Sequence, residues 1–326
     1  MVKKDIYQEI TNQIVSDLER GLSVWEKPWE KGFMGFPENA FSHSSYSGVN
    51  TLILWLRQSR TGFETSQWIT FLQVKKLGGK VKKGEKATQI VFYKNLLIKD
   101  EKTEEEKTIP LLKTYAVFNL SQTEGLENLI EKPSFKEELK FQDVEKAEEL
   151  IKKSKADISF APIDRACYLP IDDKILMPKK EQFKTQEGFY STMFHELSHW
   201  TGHKSRLKRP IRNKKGSKAY AFEELIAEIS ASFICCHLGF EYSTQHSVYI
   251  KDWLEVLRED KKAIFRASSQ AQKATEFILG NVQGEVFKKG LPSKKGRKYN
   301  LRRDLKSFLL VCGEKILAAS AGQRPP

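Results

Sequence analysis

Apolar residues near the start of the chain recur at helical spacing. Ile6, Ile10, Ile14 and Leu18 stand four apart and predict an amphipathic first helix. A stretch from Trp25 to Tyr46 rich in aromatics, glycine and proline follows, and then Val49, Leu52, Ile53 and Leu56 predict a second helix. Trp68 to Leu77 predicts a third, stopped by Gly78 and Gly79. The β-rich runs Thr88 to Tyr93 and Thr114 to Phe118 are expected to pair across the polar excursion from Asp100 to Lys107. A glutamate-rich stretch at about 127–155 reads as a linker or a helix, and Ala166 to Leu169 and Lys174 to Met177 as short strands ending at Pro170 and Pro178. The most apolar run, from Phe222 through Ile234, predicts a buried helix. Leu301, Leu305, Leu309 and Cys312 would form one more amphipathic helix. The pattern is that of an α+β chain in two domains, 1–125 and 141–284, with a linker at 126–140 and a basic extension at 285–326.

Chemistry concentrates at His195-Glu196-Leu197-Ser198-His199. A helix turns about 100° per residue, so the two histidines share a face and can grip one metal ion. Glu196, on the same rim, can take a proton from a metal-bound water without being a ligand. Hydrolytic zinc takes three protein ligands and leaves one position open. Glu224, inside the apolar helix, is the best third ligand. Glu228, one turn on, can accept a hydrogen bond from the distal nitrogen of a zinc-bound histidine. For Glu223 the plain expectation is a solvated charge. His203 competes for the third place, but Gly202 is expected to end the helix before it. A longer zinc-peptidase pattern, with a third histidine six residues after the second, fails because Ser205 stands there. His203, Tyr190 and Tyr220 are candidates to contact substrate or the oxyanion of a hydrolytic step. The ion expected is Zn²⁺, with another divalent metal possible.

Charge adds a second theme. The net charge is +13, and it is clustered. Residues 204–218 hold eight basic side chains and no acidic one, residues 75–99 hold eight lysines against Glu85, and the tail from Lys288 holds eleven against Asp304 and Glu314. Three such blocks imply a polyanionic partner, and nucleic acid leads. The first domain adds Trp25, Trp29, Phe33, Phe36, Tyr46 and Trp68, set among Gly, Pro, Ser and Asn. Aromatic faces stack on unpaired bases, and Lys76, Lys80, Lys82, Lys83 and Lys86 would attract the backbone of single-stranded DNA. At least half of the six aromatics are expected to fill the core instead.

At 326 residues with 40% hydrophobic content, the chain can build real cores, and wholesale disorder is excluded. No apolar stretch approaches the ~20 residues of a membrane span, so no membrane partner is expected. Four cysteines without metal-ligand spacing and a charged start unlike a secretory signal fit a cytoplasmic protein.

Together the motifs form a recognisable order. Trp25-Glu26-Lys27-Pro28-Trp29, Tyr46-Ser47-Gly48-Val49-Asn50, Trp68-Ile69-Thr70-Phe71, Leu77-Gly78-Gly79 with Lys83-Gly84-Glu85-Lys86, and Val117-Phe118-Asn119 come first. Phe194 through His203, Glu223 through Glu228 and Ala271-Gln272-Lys273-Ala274 follow. The chain resembles the ArdC-type antirestriction proteins of conjugative plasmids and related mobile elements, over residues 3 to 282. That resemblance implies an N-terminal single-stranded-DNA-binding domain, a zincin-like metallopeptidase domain and a role in shielding incoming DNA from host restriction. It places the metal ligands on His195, His199 and Glu224, and the catalytic carboxylate on Glu196. DNA-bound restriction proteins are then the expected substrate or target. The rival is a non-catalytic protein that coats single-stranded DNA and keeps the metal as a structural or vestigial feature. A metal-dependent nuclease is weaker, because no second cluster of carboxylates and histidines accompanies the first.

Overall fold

The structure is a computed structural model that describes residues 5–20, 35–99, 106–130, 141–211, 214–239, 242 and 249–283. Helix α1 (Ile6–Glu19) starts at Asp5, whose carboxylate accepts from the Gln8 amide at 3.2 Å, and buries Ile10, Ile14 and Leu18 as its spacing requires. After strand β1 (Glu38–Asn39), helix α2 (Val49–Thr61) follows Gly48 and ends at Gly62, which takes the left-handed conformation.

The expected third helix is divided. Gln67–Thr70 is strand β2, and only Phe71–Lys76 is helical (α3). Thr70 makes the break: its side chain caps the Gln73 amide while Gln73 returns to the Thr70 amide. Strand β3 (Lys80–Val81) pairs with β6 (Thr123–Glu124). The long β4 (Thr88–Lys99) and β5 (Glu106–Asn119) form the expected antiparallel hairpin, Thr88 opposite Val117. The main sheet runs β1-β2-β5-β4.

The second half begins with α4 (Phe141–Ser154) and β7 (Asp157–Ala161), a parallel strand too short and half-exposed to stand out in the sequence. Strands β8 (Cys167–Leu169) and β9 (Lys174–Pro178) complete a sheet ordered β7-β9-β8. Four helices follow: α5 (Gln186–Thr201), α6 (Lys218–Leu238), α7 (Ile250–Glu259) and α8 (Ala263–Gln283). Thr185 caps α5 and Ser217 caps α6 through their side-chain oxygens.

The two halves share their largest apolar core. Ile10, Ile14 and Leu18 of α1 and Leu52, Trp55 and Leu56 of α2 belong to the same buried cluster as Phe194, Leu225, Phe233 and Trp253. Phe36, Trp55 and Phe233 pack ring against ring, with centroids 5.6–5.8 Å apart. The Thr11 hydroxyl donates to the Lys261 carbonyl at 2.8 Å, and the Gly48 amide to the Gln272 side chain at 3.2 Å. A smaller cluster of Leu54, Trp68, Ile90 and Val117 sits between α2 and the main sheet. Among the described residues no helix is long and apolar enough to cross a membrane.

Candidate metal centre

Helices α5 and α6 build the centre. Phe194, Leu197 and Trp200 anchor α5 in the core and leave His195 and His199 on the face toward α6. Along α6, Leu225, Ile229 and Phe233 are buried in that core, and Glu223, Glu224 and Glu228 are buried as well. The His195 and His199 Nε2 atoms lie 3.1 Å apart. Glu224 closes the triangle, with Oε2 3.4 Å from His195 Nε2 and Oε1 3.6 Å from His199 Nε2. A tetrahedral ion with bonds of about 2.0–2.1 Å needs ligand atoms about 3.3–3.4 Å apart. The three donors therefore have the separation and the N/O chemistry that one divalent ion requires.

Both imidazoles are also held from behind. His195 Nδ1 stands 3.3 Å from Glu228 Oε2, and His199 Nδ1 3.2 Å from Glu223 Oε1. Glu223 is thus no solvated charge. Arg209 grips it, donating from Nε at 2.9 Å and Nη2 at 2.8 Å, and also donates to Thr201 Oγ1 and the Ser198 carbonyl. Arg209 is itself buried, although it comes from the most basic segment of the chain. Sequence spacing contained no signal for this contact.

Gly202 caps α5, and the returning chain crosses it closely: a Cβ there would lie 2.6 Å from Ile211 Cγ2 and 3.0 Å from Arg209 Nη2.

The electrostatics suit a cation. Burial alone would strip the proton from His195, but Glu224 and Glu228 outweigh it and hold the ring well above its ordinary value. Burial opposes the proton on His199 too, and Glu224 and Glu223 still raise that ring to about 9. Glu224, despite its burial, is held far below the usual carboxylate range by the same two rings. Carboxylates that retain protons on two buried imidazoles would favour a dication in their place. Glu196 lies beside them with its pKa raised, chiefly by burial, and the Tyr168 main chain on β8 runs near it.

Three sequence expectations change. Tyr190 does not reach the centre: its hydroxyl donates to Glu148 on α4 at 2.8 Å. His203 turns past the helix end to Ser205 (2.8 Å) and Asp173 (3.6 Å), where Arg206 and Tyr168 also bind that aspartate. Trp68 is fully buried, so it cannot stack on DNA; a tryptophan in the central strand β2 fills the space under α2. Tyr46 packs partly against the same cluster, its hydroxyl 3.3 Å from Asn39 Nδ2. Trp25 and Trp29 lie outside the described residues. Lys76, Lys80, Lys82, Lys83 and Lys86 are all exposed.

Tyr220 lies beside the centre. Its phenol faces Glu224 and stands 3.4 Å from the Tyr249 hydroxyl, and burial together with these neighbours raises its pKa strongly. Tyr249, at the start of α7, had no signal in the sequence linking it to Tyr220, because only the packing of α7 brings the two together.

Comparison with known proteins agrees with this architecture. Residues 4–118 match the N-terminal domain of anti-restriction factor ArdC, and residues 145–270 a zincin-like metallopeptidase family. The chain is 34% identical over 306 residues to DNA primase TraC of Escherichia coli, covering 87% of this chain and 28% of TraC. It therefore spans less than a third of that relative. It is 33% identical over 285 residues to the uncharacterized protein y4eC of Sinorhizobium fredii, covering 84% of this chain and 91% of that protein. Crystal structures of the antirestriction ArdC protein from the R388 plasmid superpose with TM-scores of 0.74 (metal-free, 37% identity) and 0.73 (Mn(II)-bound, 36% identity). Each comparison covers 86% of this chain, and 99% and 100% of the respective ArdC chain. An ArdC N-terminal region, a zincin-like region and one structure matching nearly all of ArdC make this chain a member of the ArdC antirestriction family.

Proposed function

We propose that this protein binds single-stranded DNA of an incoming mobile element and uses a metallopeptidase centre against restriction proteins bound to that DNA. The triangle of His195, His199 and Glu224 with Glu196 at its rim carries the reading. Zn²⁺ suits two nitrogens and a carboxylate, and the Mn(II)-bound ArdC structure shows that a relative accepts a divalent ion. When bound, such an ion supplies Lewis acidity and lowers the pKa of a water it holds. Glu196 is the acceptor for that water's proton: buried, with a raised pKa, it can hold the proton and return it to a leaving amine. Tyr220 donates toward the same ligand sphere. Strand β8, at the edge of its sheet, passes close to Glu196 at Tyr168. This supports an extended peptide as substrate, since sheet edges capture such chains by strand addition. DNA held by the first half would raise the local concentration of a DNA-bound target beside the centre.

Glu196→Gln tests the reading. Peptide cleavage should vanish while metal content and single-strand affinity persist. Cleavage unchanged in that variant would exclude Glu196 as the base. If Glu196→Gln still protects incoming DNA in cells, the non-catalytic coating protein is the better account.

A further inference from the structure

With Trp68 in the core, the single-strand reading requires another stacking surface, and α3 supplies one. Phe71 and Leu72 are 45% and 50% exposed on the first turn of that helix. One turn on, Lys75 Nζ sits 4.9 Å from the Phe71 ring centroid, and Lys76 Nζ 4.8 Å from that of Phe41. An apolar platform is thus bordered directly by ammonium groups, and the charge continues along the chain. Residues 71–86 hold six lysines against the single acid Glu85. That acid is engaged by the Gln122 side chain at 2.6 Å, and the Glu124 carboxylate opposite β3 by Lys80 at 2.9 Å. Lysines therefore outnumber acids along this face.

We propose that Phe71 and Leu72, with Phe41 beside them, form the base-stacking platform for single-stranded nucleic acid, and that the lysines from Lys75 to Lys86 track its phosphates. The inference rests on the single-strand reading above. An exposed aromatic on a soluble surface can stack on any base, because every base has a π face, while lysines a few ångströms away meet the backbone. A duplex hides its base faces, so the platform selects unpaired strands. A protein partner would also accept the apolar residues, but six lysines against one acid over residues 71–86 favour a phosphate chain.

The test is fluorescence anisotropy of a labelled oligothymidylate with the full chain over a range of salt. Phe71→Ala should weaken binding by about 5- to 150-fold, the loss of one stacked base, and leave the salt dependence unchanged. Lys76→Ala with Lys83→Ala should flatten the slope of log affinity against log salt by about 1.4, at about 0.7 per phosphate contact. Tyr93→Ala, an equally exposed aromatic on β4, should bind as the parent does. All these side chains are at the surface, so melting curves should be unaltered. If the parent binds no oligothymidylate, the single-strand reading itself fails. If the parent binds and the Phe71 and lysine variants bind equally well, the platform is refuted.

Discussion

Replacing Arg209 with methionine would leave Glu223 buried beside the metal centre with no guanidinium to neutralise it. The pair is closed on both sides, with Arg209 7% and Glu223 6% exposed, and two short hydrogen bonds join them. Removing one partner of such a pair costs about 3–5 kcal/mol, because the survivor keeps its desolvation penalty without its counter-charge. For a chain of 326 residues each kcal/mol is about 1.5 °C of melting temperature, so the loss should be about 4–7 °C. Thr201 Oγ1 and the Ser198 carbonyl lose their donor as well, which loosens the end of α5 just past His199. Glu223 orients His199 through Nδ1, so affinity for Zn²⁺ should fall by about 10–100-fold. Differential scanning calorimetry reads the first quantity, and competition with a chromogenic chelator reads the second. Adding Glu223→Gln to Arg209→Met removes the stranded charge and keeps an acceptor for His199, so most of the stability should return. A single variant that melts within about 1 °C of the parent, with Zn²⁺ affinity intact, would refute the Arg209–Glu223–His199 chain.

Two further outcomes follow from the same region. Gly202→Ala places a methyl group against Ile211 and Arg209, and overpacking of this kind costs about 1–3 kcal/mol; an unaltered urea midpoint would show that the crossing chain yields freely. Hydrogen bonds from Arg206 hold the Asp173 carboxyl below its ordinary value against the opposing effect of burial. Its stabilisation is therefore complete above an unfolded value of about 3.9 and is lost as pH falls through the folded value. Asp173→Asn should lower the melting temperature at pH 7, and the gap should close progressively below about pH 4. A gap independent of pH would mean that the aspartate acts through packing alone.

Local pattern settled much of this protein. A spacing of four put His195 and His199 on one face of a helix, and the apolar run around Glu224 and Glu228 meant that those carboxylates had to be buried with partners. β-rich runs on either side of a polar excursion identified the β4–β5 hairpin, and glycines marked the ends of α3 and α5. All of these depend on residues within a turn or two of one another, where backbone geometry alone decides.

What required the tertiary structure was most of the contacts between elements distant in the chain. Whether Glu223 meets water or His199 depends on how α6 lies against α5. Whether Arg209 points outward with its lysine neighbours or inward depends on where the chain crosses Gly202. Trp68 reads equally well as a DNA-facing aromatic or a core residue until β2 is placed beneath α2, and Tyr190 meets Glu148 only once α4 is in place. Residues far apart in the chain meet only when apolar faces find one shared core, so their contacts reflect burial over the whole molecule and leave no periodic mark in the sequence.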